Sequence, residues 1–450
     1  MKKYYCLFLF LITLHFNSFC QTWEWTKTAG GPTIDKVTAI TNDQSGNIFI
    51  TGFFDSTIAF DSTHLISAGG TDVFIAKYDV EGVLIWAKQV GGQNDDYASG
   101  ISTDITGNCY VTGFFFIQGA VSTYGTTTIT QAGDADMFIS KFSAAGNMLW
   151  VRNGGGKNED ASFGITTDAG GNTYVAGYFS GTALFGNNKI VSKGYSDIFV
   201  AKYDAAGNLI WIRTGGGAYQ DEAYAITTDD SGNCYVTGHF TGNSTFSGQT
   251  LSSAGYFDTD VFLLKFNPSG GLVWAKRIGG TANDVGYGID VSNNGQIFVA
   301  GVFKGTTAFG QYVLSKLAAS NGFVAKFESN GKHVWSKTTS GTQLNEYRKV
   351  TADAAGNCYV AGTISGDVAI ENSNVISTGG KDAFIAKYNL KGDLLWTLQG
   401  GGIEDDECMT ITTDAGGNCY VAGQYISKAS FGKQDFSGWA IQDIFISKIK

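Results

Sequence analysis

Seven acidic or amide side chains recur along this chain at a nearly fixed spacing: Asp35, Asp96, Asp160, Asp221, Asp284, Asn345 and Asp406. Carboxylates gathered from such positions could do two kinds of chemistry. Two neighbours, helped by carbonyls and water, could hold a hard divalent cation, which takes several oxygen ligands at about 2.3–2.6 Å. A pair set about 5–9 Å apart could act as acid and base in glycoside hydrolysis. The third use is structural: an aspartate ahead of a strand accepts the backbone N–H groups of its own turn. A copy in every repeat speaks for the structural use, because binding sites break symmetry. The series is therefore read as a candidate ring at a channel mouth whose first duty is structural. No catalytic residue, metal ligand or resident cofactor is assigned, and a divalent cation is the one cofactor the ring could take.

A second series pairs Lys77, Lys141, Lys202, Lys265, Lys326, Lys387 and Lys448 with Asp72, Asp136, Asp197, Asp260, Asn321, Asp382 and Asp443, five residues earlier in each case. A lysine on an apolar strand must run its amine to solvent or meet a carboxylate. Asp104, Asp168, Asp229, Asp353 and Asp414 are the expected partners. The remaining chemistry is thin. His64, His239 and His333 show neither metal-ligand spacing nor a Ser-His-Asp arrangement. The triple glycines at Gly154, Gly215 and Gly400 lack the Gly-Lys-Ser/Thr ending of a phosphate loop. Lys332, His333, Lys337, Arg348 and Lys349 make the only basic cluster, read as solvated surface with an anionic partner as the alternative.

The elements that must position these residues follow from a repeat. The phrase Gly-Asn-x-[Tyr/Phe]-[Val/Ile]-x-Gly begins at Gly46, Gly107, Gly171, Gly232, Gly295, Gly356 and Gly417, a period of 61 to 64 residues. A fixed period of that size marks a repeat architecture. Residues 221–283 show one unit. Four β-rich runs, here strands A to D, are joined by tight A–B and C–D turns with glycine where positive φ is needed. The runs are apolar on both faces, as Ile198-Phe199-Val200-Ala201 shows, so each sheet is expected to lie between two others. Seven such sheets in a circle make an all-β, seven-bladed β-propeller.

Tryptophans predict how the circle closes. Trp86, Trp150, Trp211, Trp274, Trp335 and Trp396 mark strand D of six repeats, and the seventh reaches Lys450 without one. Trp25-Thr26-Lys27-Thr28-Ala29-Gly30-Gly31 aligns with Trp211 to Gly217. The N-terminal strand is therefore predicted to complete the last blade, a 1+3 closure that leaves no long pairing edge. The B–C stretch carries all the variation in period: 20 residues in five blades, 23 in the second and 22 in the fourth. The face bearing the B–C and D–A connections is thus where ligands are expected, in blades 2 and 4 first.

Composition agrees. Glycine is abundant (62 of 450), proline nearly absent (2), and aromatics make up 14%. Residues 1–20 have a basic start, an apolar core and Cys20, the layout of a secretory signal peptide with cleavage after Cys20; an acylated cysteine is the alternative. Residues 21–450 are left as the propeller. No other apolar run approaches membrane length. The net charge of −10 becomes about −12 without Lys2 and Lys3, which argues against nucleic acid as a partner. Cys109, Cys234, Cys358 and Cys419 share one repeat position, too far apart to bridge, so no structural disulfide is predicted.

The Asp-x-Phe-[Ile/Val/Leu]-x-Lys-[Tyr/Phe] run, the glycine phrase and the strand-D tryptophan resemble the SBBP-type β-propeller repeats of secreted bacterial proteins, over essentially all of residues 21–450. That resemblance implies an exported propeller and carries over no catalytic residues. The function expected is a non-enzymatic binding or interaction scaffold, extracellular or periplasmic, with a protein or glycan partner. The alternative is a hydrolase or lyase using acidic residues at the channel mouth.

Overall fold

The computed structural model describes residues 21–116, 121–124, 127–130, 132–255, 257–315, 320–341, 343–439 and 441–450. The expected signal segment lies outside them, as does part of the long B–C stretch of the second repeat. Among the described residues every regular element is a β-strand. Among them no helix is long and apolar enough to cross a membrane.

One repeat shows how local chemistry builds the unit. Strands A (Asp221–Thr228), B (Cys234–Thr241), C (Thr259–Phe266) and D (Leu272–Gly280) form an antiparallel meander, with Asp221 opposite Phe240, Cys234 opposite Phe266 and Lys265 opposite Trp274. The A–B turn explains the repeated phrase. Asp229 Oδ1 accepts the N–H groups of Ser231 and Asn233, and Asn233 Nδ2 donates to Asp229 Oδ2 at 2.8 Å. Gly232 sits between them at φ 75°, a conformation that costs a residue with a Cβ atom. The same A-B-C-D order recurs in the other repeats.

The core lies between sheets. One cluster joins Tyr174, Val200 and Trp211 of one repeat to Ile226, Val236 and Phe262 of the next. Each such large side chain removed from water contributes about 1.5–3 kcal/mol. Strand-D tryptophans lock the contact. The Trp211 ring packs on Gly270 in the next C–D turn, and its Nε1 donates to Pro268 O at 3.1 Å. Trp86 and Trp150 meet Gly146 and Gly207 in the same way.

Two strands far apart in sequence meet. Strand Trp23–Gly30 pairs antiparallel with Asp443–Ile449, with Trp25 opposite Lys448 and Thr28 opposite Phe445. Trp25 and Phe445 therefore belong to one sheet. The Trp25 ring lies against Gly82, the contact that Trp86 makes with Gly146. Innermost, strand A of each repeat packs on strand A of the next, and Asp35–Asn42 packs on both Asp96–Thr103 and Glu407–Thr413.

One feature of the B–C stretch departs from the sequence expectation of a plain connection. It folds as a β-hairpin, such as Thr182–Phe185 with Asn188–Val191. That hairpin hydrogen-bonds to strand D of the preceding repeat, placing Gly154 opposite Phe185. In two repeats strands B and C simply lengthen to make it, as Ile48–Phe60 and Thr63–Tyr78 do. The apolar residue before its turn (Phe60, Phe185, Phe246, Phe309, Ile370 or Phe431) is buried.

Candidate functional site

The ring residues stand at the head of each strand A and are buried. In most of them backbone N–H groups take up the oxygens, whereas both oxygens of Asp35 and Oδ1 of Asp284 are buried without such a partner. Gly92, Gly156, Gly217, Gly280 and Gly402 each donate an N–H, from four residues upstream, to Asp96, Asp160, Asp221, Asp284 and Asp406, at 2.5–2.8 Å. The other oxygen reaches the end of strand B: Asp160 accepts from Ser180 N, Asp406 from Ile426 N, and Asn345 Oδ1 from Ser365 N. Asp160, Asp221 and Asp406 thus each tie a D–A turn to the exit of strand B.

The two aspartate series meet at the boundary between repeats. A Cβ added at Gly216 would lie 2.5 Å from Asp197 Oδ1 and 2.9 Å from Asp221 Oδ2. Gly91 stands likewise between Asp72 and Asp96, and Gly401 between Asp382 and Asp406. Two carboxylates therefore flank one glycine whose side has no room for a methyl group. At one boundary both positions change together, to Asn321 and Asn345, and there Asn345 N donates to Ser320 O. Burial pushes the carboxyls up, and the neighbouring carboxylate adds to it. Asp35, beside Asp443, and Asp284, beside Asp260, rise to about 8. Asp160, Asp221 and Asp406 rise to about 7.

The lysine series meets its carboxylates in part. Lys141–Asp104, Lys202–Asp168 and Lys387–Asp353 lie at 3.5–3.6 Å, and Lys77 pairs with Asp43 at 3.4 Å. Lys448 takes Glu24 rather than Asp414. Lys265 lies over the Tyr235 ring and donates to Ser329 O rather than pairing with Asp229. The basic cluster expected near residue 340 is divided. Lys332 and Lys337 pair with Glu328 and Glu371 on the outer strand and its turns, and His333 packs among Phe309, Tyr312 and Phe327. Arg348 and Lys349 lie on an inner strand A. Proximity in sequence misled because strands D and A sit at opposite edges of neighbouring sheets.

The arrangement that sequence reasoning missed is on that inner edge. Every strand A carries a β-bulge, between Val37 and Ala39, Ala98 and Gly100, Ser162 and Gly164, Ala223 and Ala225, Gly286 and Gly288, Tyr347 and Lys349, and Cys408 and Thr410. A bulge leaves one residue unpaired and re-aims its side chain. The bulged residues are Thr38, Ser99, Phe163, Tyr224, Tyr287, Arg348 and Met409, and all of them line one cavity of about 410 Å³. Aromatic rings run round it in an unbroken arc. Phe53 meets Tyr97 at 4.8 Å, Tyr97 stacks on Phe114 at 5.2 Å, Phe163 meets Tyr224 at 5.3 Å and Tyr224 meets Tyr287 at 5.5 Å. Phe114 and Phe163 join the two halves, and Arg348 closes the arc over Tyr287 at 5.9 Å. Buried His239 backs Tyr224 and is held neutral, its pKa lowered to about 4 by burial. A weak signal was present in sequence: the position three residues after each ring residue changes from repeat to repeat, as do the two positions before it.

Meandering four-stranded sheets whose first strands surround a shared cavity define a β-propeller repeat protein. Residues 85–113 match the SBBP family, described as a beta-propeller repeat, so the chain carries an SBBP-type repeat. Among curated proteins it is similar to an uncharacterized WD repeat-containing protein of Acanthamoeba polyphaga mimivirus, 25% identical over 89% of this chain and 31% of that protein. It is also similar to regulatory protein FlaEY of Caulobacter vibrioides, 26% identical over 65% of this chain and 33% of that protein. The chain thus spans about a third of the length of these curated relatives. Among solved structures it resembles the WD40 beta propeller domain of Doa1, with TM-score 0.48 and 9% identity, over 95% of this chain and 96% of that one. The Neurospora crassa Pan2 WD40 domain gives TM-score 0.43 and 10% identity, over 93% and 89%.

Proposed function

We propose that the chain is an exported, non-enzymatic, seven-bladed propeller, closed by its N-terminal strand, that binds a protein or glycan on its B–C and D–A face. The ladder between Trp23–Gly30 and Asp443–Ile449 supports the closure, as does the cavity that takes one bulged residue from every repeat. Export rests on the composition of residues 1–20.

The observation that carries the binding role is where the large exposed side chains sit. Tyr195, Phe257 and Trp439 are 74%, 68% and 77% exposed, each in a B–C stretch just ahead of strand C, and Ile403 in a D–A loop is 79% exposed. Aromatics on a rigid rim bury much area at little entropic cost, which suits a protein or sugar-ring contact. The ring carboxylates, in contrast, are buried, and five of them accept a backbone N–H of the turn before them. That favours a scaffold over a hydrolase or lyase, and the role requires no cofactor.

The test is a glycan microarray and polysaccharide titration on purified protein, repeated with Tyr195→Ala and Trp439→Ala. Binding that both variants weaken supports the role. Release of reducing sugar that Asp221→Asn abolishes would establish the enzyme instead.

A further inference from the structure

The channel cavity breaks the symmetry of the fold at two adjacent positions, and both breaks fall in the same repeat. At the bulge, Arg348 stands where the other repeats have Thr, Ser, Phe, Tyr, Tyr and Met. At the next residue, Lys349 stands where they have Ala39, Gly100, Gly164, Ala225, Gly288 and Thr410. Every other repeat keeps that second position small. Two long cationic side chains are thus introduced side by side in a wall that is otherwise uncharged and largely aromatic.

The surrounding acids do not answer that charge. Glu346 is held by Arg348 at 2.7 Å, Glu407 by Lys381 at 2.9 Å, and Glu222 accepts the Tyr224 hydroxyl at 2.7 Å. Asp290 accepts the N–H groups of Val291 and Ala352, both at 2.8 Å. Among the described residues Lys349 lines the cavity with no ion pair. An ammonium in such surroundings attracts an anion strongly, because little water screens it. Arg348 is already positioned by Glu346 and Tyr287, so Lys349 is the free cation of the site.

We propose that this cavity binds a small planar aryl carboxylate, the carboxylate paired with the Lys349 ammonium and the ring held between aromatic walls. The volume of about 410 Å³ is that of a small-molecule pocket. The walls choose between anions. Phe53, Tyr97, Phe114, Phe163, Tyr224 and Tyr287 make the lining largely aromatic, which suits a planar ring, whereas the several hydroxyls of a sugar acid would find few partners beyond Thr38, Ser99 and the tyrosine hydroxyls. Burial lowers the Lys349 pKa only to about 8, so the amine is still charged at neutral pH. The proposal goes beyond the docking role above and uses none of its residues, so either can fail alone.

Cinnamate, cinnamyl alcohol and glucuronate are titrated into the purified protein by calorimetry at pH 7. One saturable site for cinnamate is expected, with the neutral alcohol and the sugar acid weaker by about tenfold or more. Lys349→Met should weaken cinnamate by about tenfold while leaving cinnamyl alcohol unchanged. Ser99→Trp, which fills the cavity from the opposite wall, should abolish binding while the thermal melt stays cooperative. Absence of a saturable cinnamate site, preference for glucuronate, or cinnamate binding that survives Ser99→Trp overturns the proposal. If Lys349→Met does not fold, the Ser99→Trp result decides alone.

Discussion

Thr26 Oγ1 lies 2.8 Å from Ser447 Oγ, a buried hydroxyl pair between strands from opposite ends of the chain. It sits in the ladder that gives the last repeat its fourth strand. Deleting residues 21–31 removes that strand and bares the edge of Asp443–Ile449, which then offers unpaired N–H and C=O groups to other chains. The expected result is a sharply lower melting temperature in scanning fluorimetry, with aggregation seen by light scattering. An unchanged melt would mean that the strand contributes nothing.

Trp211 is buried between repeats, its ring on Gly270 and its N–H on Pro268 O. Trp211→Ala leaves a cavity and an unsatisfied carbonyl, and should cost about 3–5 kcal/mol in urea titration. A loss below about 1 kcal/mol would place the ring outside the packed interface.

The buried carboxyls predict an unusual pH dependence. Asp35, Asp160, Asp221, Asp284 and Asp406 have folded pKa values raised to about 7 or 8. The unfolded value is about 3.9. Below about pH 4 both states are protonated and these groups cost nothing; between about 4 and 8 only the unfolded chain ionises freely, so stability falls as pH rises. The turn aspartates act in the opposite sense. Hydrogen bonds from Thr106, Asn108 and Tyr110 outweigh burial at Asp104 and hold it at about 2; Asp168 and Asp353 are lowered in the same way. Their contribution is present above about pH 4 and is lost as pH falls through the folded values. Melting temperature should therefore be higher at pH 5 than at pH 8. A melt that rises steadily from pH 5 to 8 contradicts the buried-carboxyl geometry.

The Asn321 and Asn345 boundary suggests how to remove that dependence. Asp382→Asn with Asp406→Asn copies it at the next boundary, where Gly401 lies between the two side chains. The double variant should lose less stability between pH 5 and 8 than the parent, in melts at matched ionic strength. A slope unchanged from the parent would show that this pair does not titrate in that window.

Much of the fold was legible because each repeat restates it. The Gly-Asn phrase encodes one turn, in which asparagine and aspartate satisfy each other, and the Trp25 alignment predicted its ladder with Asp443–Ile449. The B–C hairpins were not legible. Strands of four residues are too short for a period-2 pattern, and their partners lie in the preceding repeat. Of the candidate site, the ring aspartates stood out because they do not vary. In five of the six the carboxylate satisfies a backbone N–H of the preceding turn, which accounts for the recurrence there. The channel lining stayed hidden for the opposite reason: a bulge fixes the position of Thr38, Tyr224 and Arg348 through the backbone, leaving side-chain type free to differ.

Thr26 and Ser447 allow the proposed closure by strand Trp23–Gly30 to be tested directly. In Thr26→Cys/Ser447→Cys the two sulfurs would stand where the hydroxyls now touch. Mild oxidation followed by nonreducing peptide mapping should recover residues 26 and 447 in one disulfide-linked peptide, with a raised melting temperature. Two free thiols at these positions in folded, oxidised protein would contradict the closure.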